Sequence, residues 1–146
     1  MVSFITEVRK MKVSTKGRYA LRMLVDLCEH ECEGYIPLKE VADRQDISKK
    51  YLEQIIPLFN NTDILISARG NQGGYRLGRL PKDVSVGEVL TIAEGSISPV
   101  SCVDEEMDCE RLKNCPTRKV WQNLDTVIKD YLYHVSLQDI LNYKTK

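Results

Sequence analysis

Three cysteines, Cys102, Cys109 and Cys115, lie within the stretch SCVDEEMDCERLKNCPTR at a C-x6-C-x5-C spacing. Such a trio serves one of three ends: ligation of a soft metal centre, one disulfide with a spare thiol, or burial of inert thiols. Five acids, Asp104, Glu105, Glu106, Asp108 and Glu110, stand among or beside the cysteines. Neighbouring negative charge disfavours thiolates, so the segment is poorly built to activate its own thiols. A metal centre would neutralise that charge, and thiolates select iron–sulfur clusters, zinc or copper(I). The spacing lacks the C-x2-C pair of zinc ribbons.

The elements that must position this segment are bounded by the totals. A chain of 146 residues holds one domain with an appendage, or two small ones. Lys+Arg and Asp+Glu both number 21, and residues 1–98 carry 14 basic and 13 acidic side chains. Any nucleic-acid function must therefore rest on where the basic residues lie. The opening MVSFITEVRKMK has too short and interrupted an apolar run for a signal peptide. No run approaches the ~18 apolar residues of a membrane span. The expectation is a cytoplasmic protein with no membrane partner, where a stable disulfide is disfavoured. Residues 1–10 read as an extension before Met11.

From Ser14, a plausible N-cap, STKGRYALRMLVDLCEHECEG reads as a helix with Ala20, Leu21, Leu24, Leu27 and Cys28 on one face. Gly34 and Pro37 stop it. PLKEVADRQDIS gives a short helix with Leu38, Val41 and Ala42 inward, and Ser48 caps the next, KKYLEQIIPLFNN. This is either a helix-turn-helix or an ordinary three-helix unit. The following DILISARGNQGGYRLG favours the first: two strand-like runs flank a Gly- and Asn-rich loop, a hairpin wing. Arg69 stands at the tip, with Arg76 and Arg79 on the return strand. A helix follows from about Ser85 to Glu94, ended by Gly95. Beyond the cysteines, Pro116 suits the first turn of a long helix. Its Val120, Trp121, Leu124, Val127, Ile128, Tyr131, Leu132 and Val135 form a wide apolar stripe, suited to packing on its own domain or to dimerisation. A short helix capped by Ser136 ends the chain. The fold class is mainly α with a small β-hairpin wing. Its divisions are a winged helix-turn-helix domain at 11–98, a cysteine loop at 99–115, and a dimerisation helix with a short final helix at 116–142.

A recognition helix reads bases with its N-terminal residues. Here these are Ser48, Lys49, Lys50, Tyr51, Glu53 and Gln54. The lysines suit phosphates or guanine edges, Gln54 suits adenine, and Glu53 suits a cytosine amino group unless it is merely a surface residue. Arg69 and Gly70 suit a narrow minor groove. Lys16 and Tyr19 in helix one join the set, with Lys12, Arg18 and Arg22 adding charge nearby. Pro57 removes a hydrogen bond inside the third helix and is expected to kink it.

MKVSTKGRYALRMLVDL, ISKKYLEQI, RGNQGGYRLG, VSVGEVL and EGSISPV together resemble the Rrf2 family of bacterial winged-helix transcription regulators, from about Met11 to Leu141. The resemblance implies a homodimer on double-stranded operator DNA. It also implies that Ser48, Glu53 and Gln54 face the major groove and Arg69-Gly70 the minor groove. Family members with three cysteines in this place hold an iron–sulfur cluster. By that resemblance Cys102, Cys109 and Cys115 would hold a [2Fe–2S] or [4Fe–4S] cluster. The spacing is one residue longer than the family's C-x5-C-x5-C. Arg118, which cannot ligate iron, takes the place of a histidine three residues after the last cysteine. The fourth ligand is open: an acid of the loop, His30 or His134, or a residue of the partner subunit. Cys28 reads as core and Cys32 as incidental. The GSISPV run resembles a cluster-free branch that controls cysteine metabolism, so the alternative is a thiol switch or an enzyme partner. Nothing in the sequence assembles an enzyme site: there is no nucleophile–base pair and no phosphate-binding glycine loop.

Overall fold

The computed structural model describes residues 13–103 and 113–144. Cys109 and the acids between Cys102 and Cys115 fall outside the described residues, as do Lys12 and residues 1–10. The first helix, α1 (Thr15–Glu29), is capped by the Ser14 side chain, which accepts from the Gly17 amide. Its inward face is Ala20, Met23, Leu24, Leu27 and Cys28, all buried. Leu21, expected inward, is only partly covered, and Met23 takes the central place. A 3-10 turn at Glu31–Glu33 and Gly34, at φ +79, end the element. α2 (Leu38–Gln45) and α3 (Lys49–Ile55) follow, joined through Asp46 in the left-handed conformation. Asp tolerates that conformation better than most residues, which permits a turn this tight. Ser48 caps α3 by accepting from the Tyr51 amide at 3.1 Å.

The expected kink at Pro57 takes the form of a change in helix type. Proline has no amide hydrogen, so the α-helical ladder stops at Ile55 and continues as a 3-10 turn over Ile56–Phe59. The tighter winding keeps Ile56 and Phe59 in the core. β1 (Leu65–Ala68) and β2 (Gly74–Leu77) pair antiparallel, Leu65 opposite Leu77 and Ala68 opposite Gly74. Arg79 lies past the return strand. It binds Asp63 at 3.3 Å, Glu88 at 2.7 Å and the Asp83 carbonyl, and so fastens the base of the wing. The wing is also held at its edge, where Ile36 and Tyr75 exchange backbone hydrogen bonds of 2.9 and 2.8 Å. Gly74 permits that contact, because a Cβ there would lie 2.2 Å from the Ile36 carbonyl oxygen.

α4 (Val86–Glu94) is capped by Ser85 and packs along α1, with Val86, Val89, Leu90 and Ala93 buried. α5 (Arg118–His134) starts after Pro116 rather than on it. It lies against α4, where Gly87 meets the Tyr133 ring and Thr91 hydrogen-bonds the Tyr133 hydroxyl at 2.9 Å. α6 (Leu137–Lys144) returns to α1 and seats Leu137 in the core. Ser136 and Asp139 form a reciprocal cap there, with Asp139 Oδ2 accepting from the Ser136 amide at 2.8 Å. The result is a mainly helical winged-helix domain with one hydrophobic core. No helix of the described residues is long and apolar enough to cross a membrane.

Candidate nucleic-acid interface and cysteine segment

Helical geometry sorts α3 into two sides. Leu52 and Ile55 face the core, while Lys49, Lys50, Glu53 and Gln54 are exposed together on the opposite side. Glu53 is not a lone acid there: it pairs with Lys49 at 3.7 Å, one turn earlier. Both partners are more than half exposed, so the pair lies in solvent. Ser48 is exposed but is already committed as the cap.

Tyr19 of α1 and Tyr51 of α3 meet edge to face, with centroids 5.4 Å apart and planes at 77°. Arg22 lies 5.3 Å over the Tyr19 ring. Its guanidinium also donates to the Gln45 carbonyl and, at 3.3 Å, to Gln45 Oε1. Arg22 thus joins the start of the motif's turn to α1, a role beyond the general positive charge expected of it. Lys16 is exposed on the first turn of α1. Arg69 and Gly70, both exposed, lie in the wing loop, Gly70 at φ +104, a conformation that glycine adopts freely. Arg76 instead stacks 4.9 Å over Tyr35, beside the Ile36 bridge.

Asp26 was not legible as a key residue. It sits in the apolar run LVDLC and is 1% exposed. Arg44 clasps it, Nη2 at 2.7 Å and Nε at 3.1 and 3.2 Å from its oxygens, and Gln45 Nε2 donates at 2.9 Å. The carboxylate holds the Arg44 guanidinium further above its already high pKa through these hydrogen bonds. A charged residue on the core side of α1, followed by Arg44-Gln45 at the end of α2, is the signal in the sequence.

Cys102 is half-buried on a 3-10 turn, Ser101–Val103, that packs against α5. Cys115 is half-buried just ahead of α5, its sulfur 3.5 Å from Thr117 Oγ1. The two cysteines stand one on each side of the segment that holds Cys109. This soft donor set, at a boundary between elements, fits a thiolate-bound metal centre. Arg118 is the first residue of α5. His134 ends that helix and donates from Nδ1 to the Asp130 carbonyl at 2.6 Å. Sixteen residue steps separate it from Arg118, about 24 Å along the axis, so it stands far from Cys115 of its own chain. His30 likewise donates to the Asp26 carbonyl at 2.8 Å. Asp26, Glu29 and His30 bring ligand atoms within 4.8 Å of one another. However, the Asp26 oxygens are taken by Arg44 and Gln45, so this group serves the fold. Burial, then the charges of Glu31 and Glu29, push the Cys28 thiol up to about 12, which makes it inert. Cys32 is exposed.

Along α5 of the isolated chain, no residue is buried. Val120 is 57% exposed, Val127 64% and Tyr131 65%, and they form one line on its outer side.

Residues 13–143 match the Rrf2 family, described as iron-dependent transcriptional regulators. The chain is 34% identical over 132 residues to the HTH-type transcriptional regulator IscR of Erwinia tasmaniensis, covering 90% of this chain and 79% of that protein. Among solved structures, the global cysteine regulator CymR of B. subtilis has a TM-score of 0.75 at 35% identity, covering 90% of this chain and 97% of that one. The IscR of T. potens gives a TM-score of 0.72 at 33% identity, covering 91% and 88%. These relatives are named as transcriptional regulators, not enzymes, and the winged-helix architecture is shared throughout. The chain belongs to the Rrf2 family and is a DNA-binding transcriptional regulator.

Proposed function

We propose that this regulator binds a two-fold operator as a cytoplasmic homodimer and that Cys102, Cys109 and Cys115 control the binding by holding an iron–sulfur cluster. The observation that carries the reading is the placement of half-buried Cys102 and Cys115 on either side of Cys109 at the entrance to α5. In this reading residues 11–98 are the DNA-binding module, 99–115 the sensing loop and 116–142 the dimerisation arm. Lys49, Lys50, Glu53 and Gln54 enter the major groove, with Ser48 and Tyr51 supporting them. Arg69-Gly70 enters the minor groove, and Lys16 and Tyr19 meet the backbone.

A [2Fe–2S] or [4Fe–4S] cluster, when bound, supplies a redox- and nitric-oxide-sensitive link between the three thiolates. With Cys102, Cys109 and Cys115 drawn to one centre, the 102–115 segment is fixed at three points directly before α5. A changed angle of α5 alters the spacing of the two recognition helices, which shifts the population competent for the operator. The fourth ligand is a loop acid or a residue of the partner subunit. Protein purified without oxygen is expected to be coloured and to contain iron. Colourless, iron-free protein, still so after cluster reconstitution, would overturn the cluster reading.

A cluster-free regulator of cysteine metabolism is the second reading, acting through a thiol switch or an enzyme partner. It is favoured by Arg118 at the start of α5 and by an identity to CymR as high as that to IscR. Iron-free protein that still binds its operator would support it.

The DNA docking has its own test. Arg69→Ala is expected to weaken binding to A·T-flanked sites about tenfold, the cost of one minor-groove arginine of roughly 1–2 kcal/mol. Glu53→Ala is expected to relax base preference, because Glu53 rejects bases that offer it no donor. Binding titrations on wild-type and substituted operators read both effects. Wild-type behaviour from both variants would show the docking to be wrong.

A further inference from the structure

The cap of α1 is shared with a residue eighty positions away. The Ser14 hydroxyl accepts from the Gly17 amide at 3.2 Å and donates to Glu94 Oε1 at 2.6 Å. The same Glu94 oxygen accepts the Ser14 backbone N–H at 3.0 Å. Glu94 is the last residue of α4, and Gly95, at φ +81, turns the chain toward Cys102. Room for the carboxylate exists only because residue 17 is glycine: a Cβ there would lie 2.2 Å from Glu94 Oε1 and 3.2 Å from Leu90 Cδ2. Glycine inside a helix carries an entropic cost, so this gap opposes helix formation and must be offset by what fills it. Ser14 and Gly17 are both fitted to one carboxylate oxygen.

The first turn of α1 carries Lys16 and leads to Tyr19, the two side chains of that helix assigned to the DNA backbone. Without Glu94 the turn keeps its Ser14 cap and the Arg18–Thr15 hydrogen bond of 3.1 Å but loses its two hydrogen bonds to the end of α4, and terminal turns open readily. A turn that must be ordered on binding weakens the complex by that ordering cost. We propose that Glu94 is a positioning residue for operator binding: it accepts two hydrogen bonds from Ser14 and so holds Lys16 and Tyr19 in a fixed register beside α3. This rests on the operator reading given above. The tie also places the anchor of the DNA-facing helix on the element that runs directly into the cysteine segment.

The test uses the full-length chain with Glu94→Ala, Gly17→Ala and Glu94→Gln, on a duplex enriched by the wild-type protein from a random pool. Binding constants are measured across a salt series, with thermal melts alongside. Glu94→Ala and Gly17→Ala are expected to bind about tenfold more weakly. Their slopes of log K against log salt should be shallower by up to about 1.8, the loss of one lysine contact from each subunit of the dimer. Glu94→Gln keeps an amide oxygen that accepts the same two bonds, and it is expected to stay within about twofold of wild type. Gly17→Ala displaces only the end of a flexible side chain, so it carries the test if Glu94→Ala fails to fold. Lower melting temperatures with unchanged affinity and salt slope would overturn the proposal, leaving Glu94 a purely structural residue. Glu94→Gln binding as poorly as Glu94→Ala would overturn it as well. Failure of the wild-type protein to enrich any duplex would instead overturn the operator reading, and the role of Glu94 with it.

Discussion

Replacing Val127 with Asp is expected to leave a folded chain that is monomeric and has lost most of its operator affinity. Val127 is 64% exposed in the single chain, so the substitution removes little packing there. Exposed substitutions of this kind usually change stability by no more than about 0.5 kcal/mol. Between two copies of α5 the same position would bury two carboxylates near each other, and the penalty for burying an unpaired charge is several kcal/mol each. Val120 and Tyr131, a turn or two away on the same line, provide the apolar face that this charge would interrupt. An operator held through two half-sites gains an effective-concentration advantage of roughly 100- to 10,000-fold over a single half-site. A monomer forfeits that advantage, so affinity for a two-fold site should fall by about a thousandfold. Sedimentation equilibrium, a thermal melt and a binding titration check the three parts. A Val127→Asp chain that remains dimeric would remove α5 from the interface.

The second large effect is expected at Arg44. Arg44→Ala leaves the Asp26 carboxylate buried with Gln45 as its remaining side-chain donor of the clasp. Removing one partner of a buried ion pair costs on the order of 3 kcal/mol, because the remaining charge stays desolvated. For a chain of this size that is a fall in melting temperature of about 10 °C. Because Gln45 also receives Arg22, the damage reaches the helix-turn-helix as well as the core. Asp26→Leu combined with Arg44→Met removes both charges and should recover most of the loss. Denaturant melts of the three proteins measure it. An Arg44→Ala protein within 1 kcal/mol of wild type would show that water, not Arg44, satisfies Asp26.

Much of this molecule was determined by the sequence alone, where local chemistry settles the outcome. Ser14, Ser48 and Ser136 each cap the helix expected of them, since a hydroxyl next to the first free amides needs no distant partner, and Ser85, expected as the start of α4, is its cap. The wing follows from two short apolar runs around a glycine-rich loop, and Cys28 from its place on the face of α1. Spacing likewise put Lys49, Lys50, Glu53 and Gln54 on one side of α3.

Only the tertiary structure decided what depends on neighbours far along the chain. Met23 replaced Leu21 at the centre of the α1 face, because the packing of α2, α3 and α4 sets where that face points. Arg79 became a fastening for the wing, since its acids, Asp63 and Glu88, come from either side of it in sequence. Asp26 is held by Arg44 and Gln45, eighteen and nineteen positions further along the chain. Glu94 fills the space that the missing side chain of Gly17 leaves. Hydrogen bonds across eighty residues leave no periodicity to read, whereas caps and helical faces repeat within a turn or two.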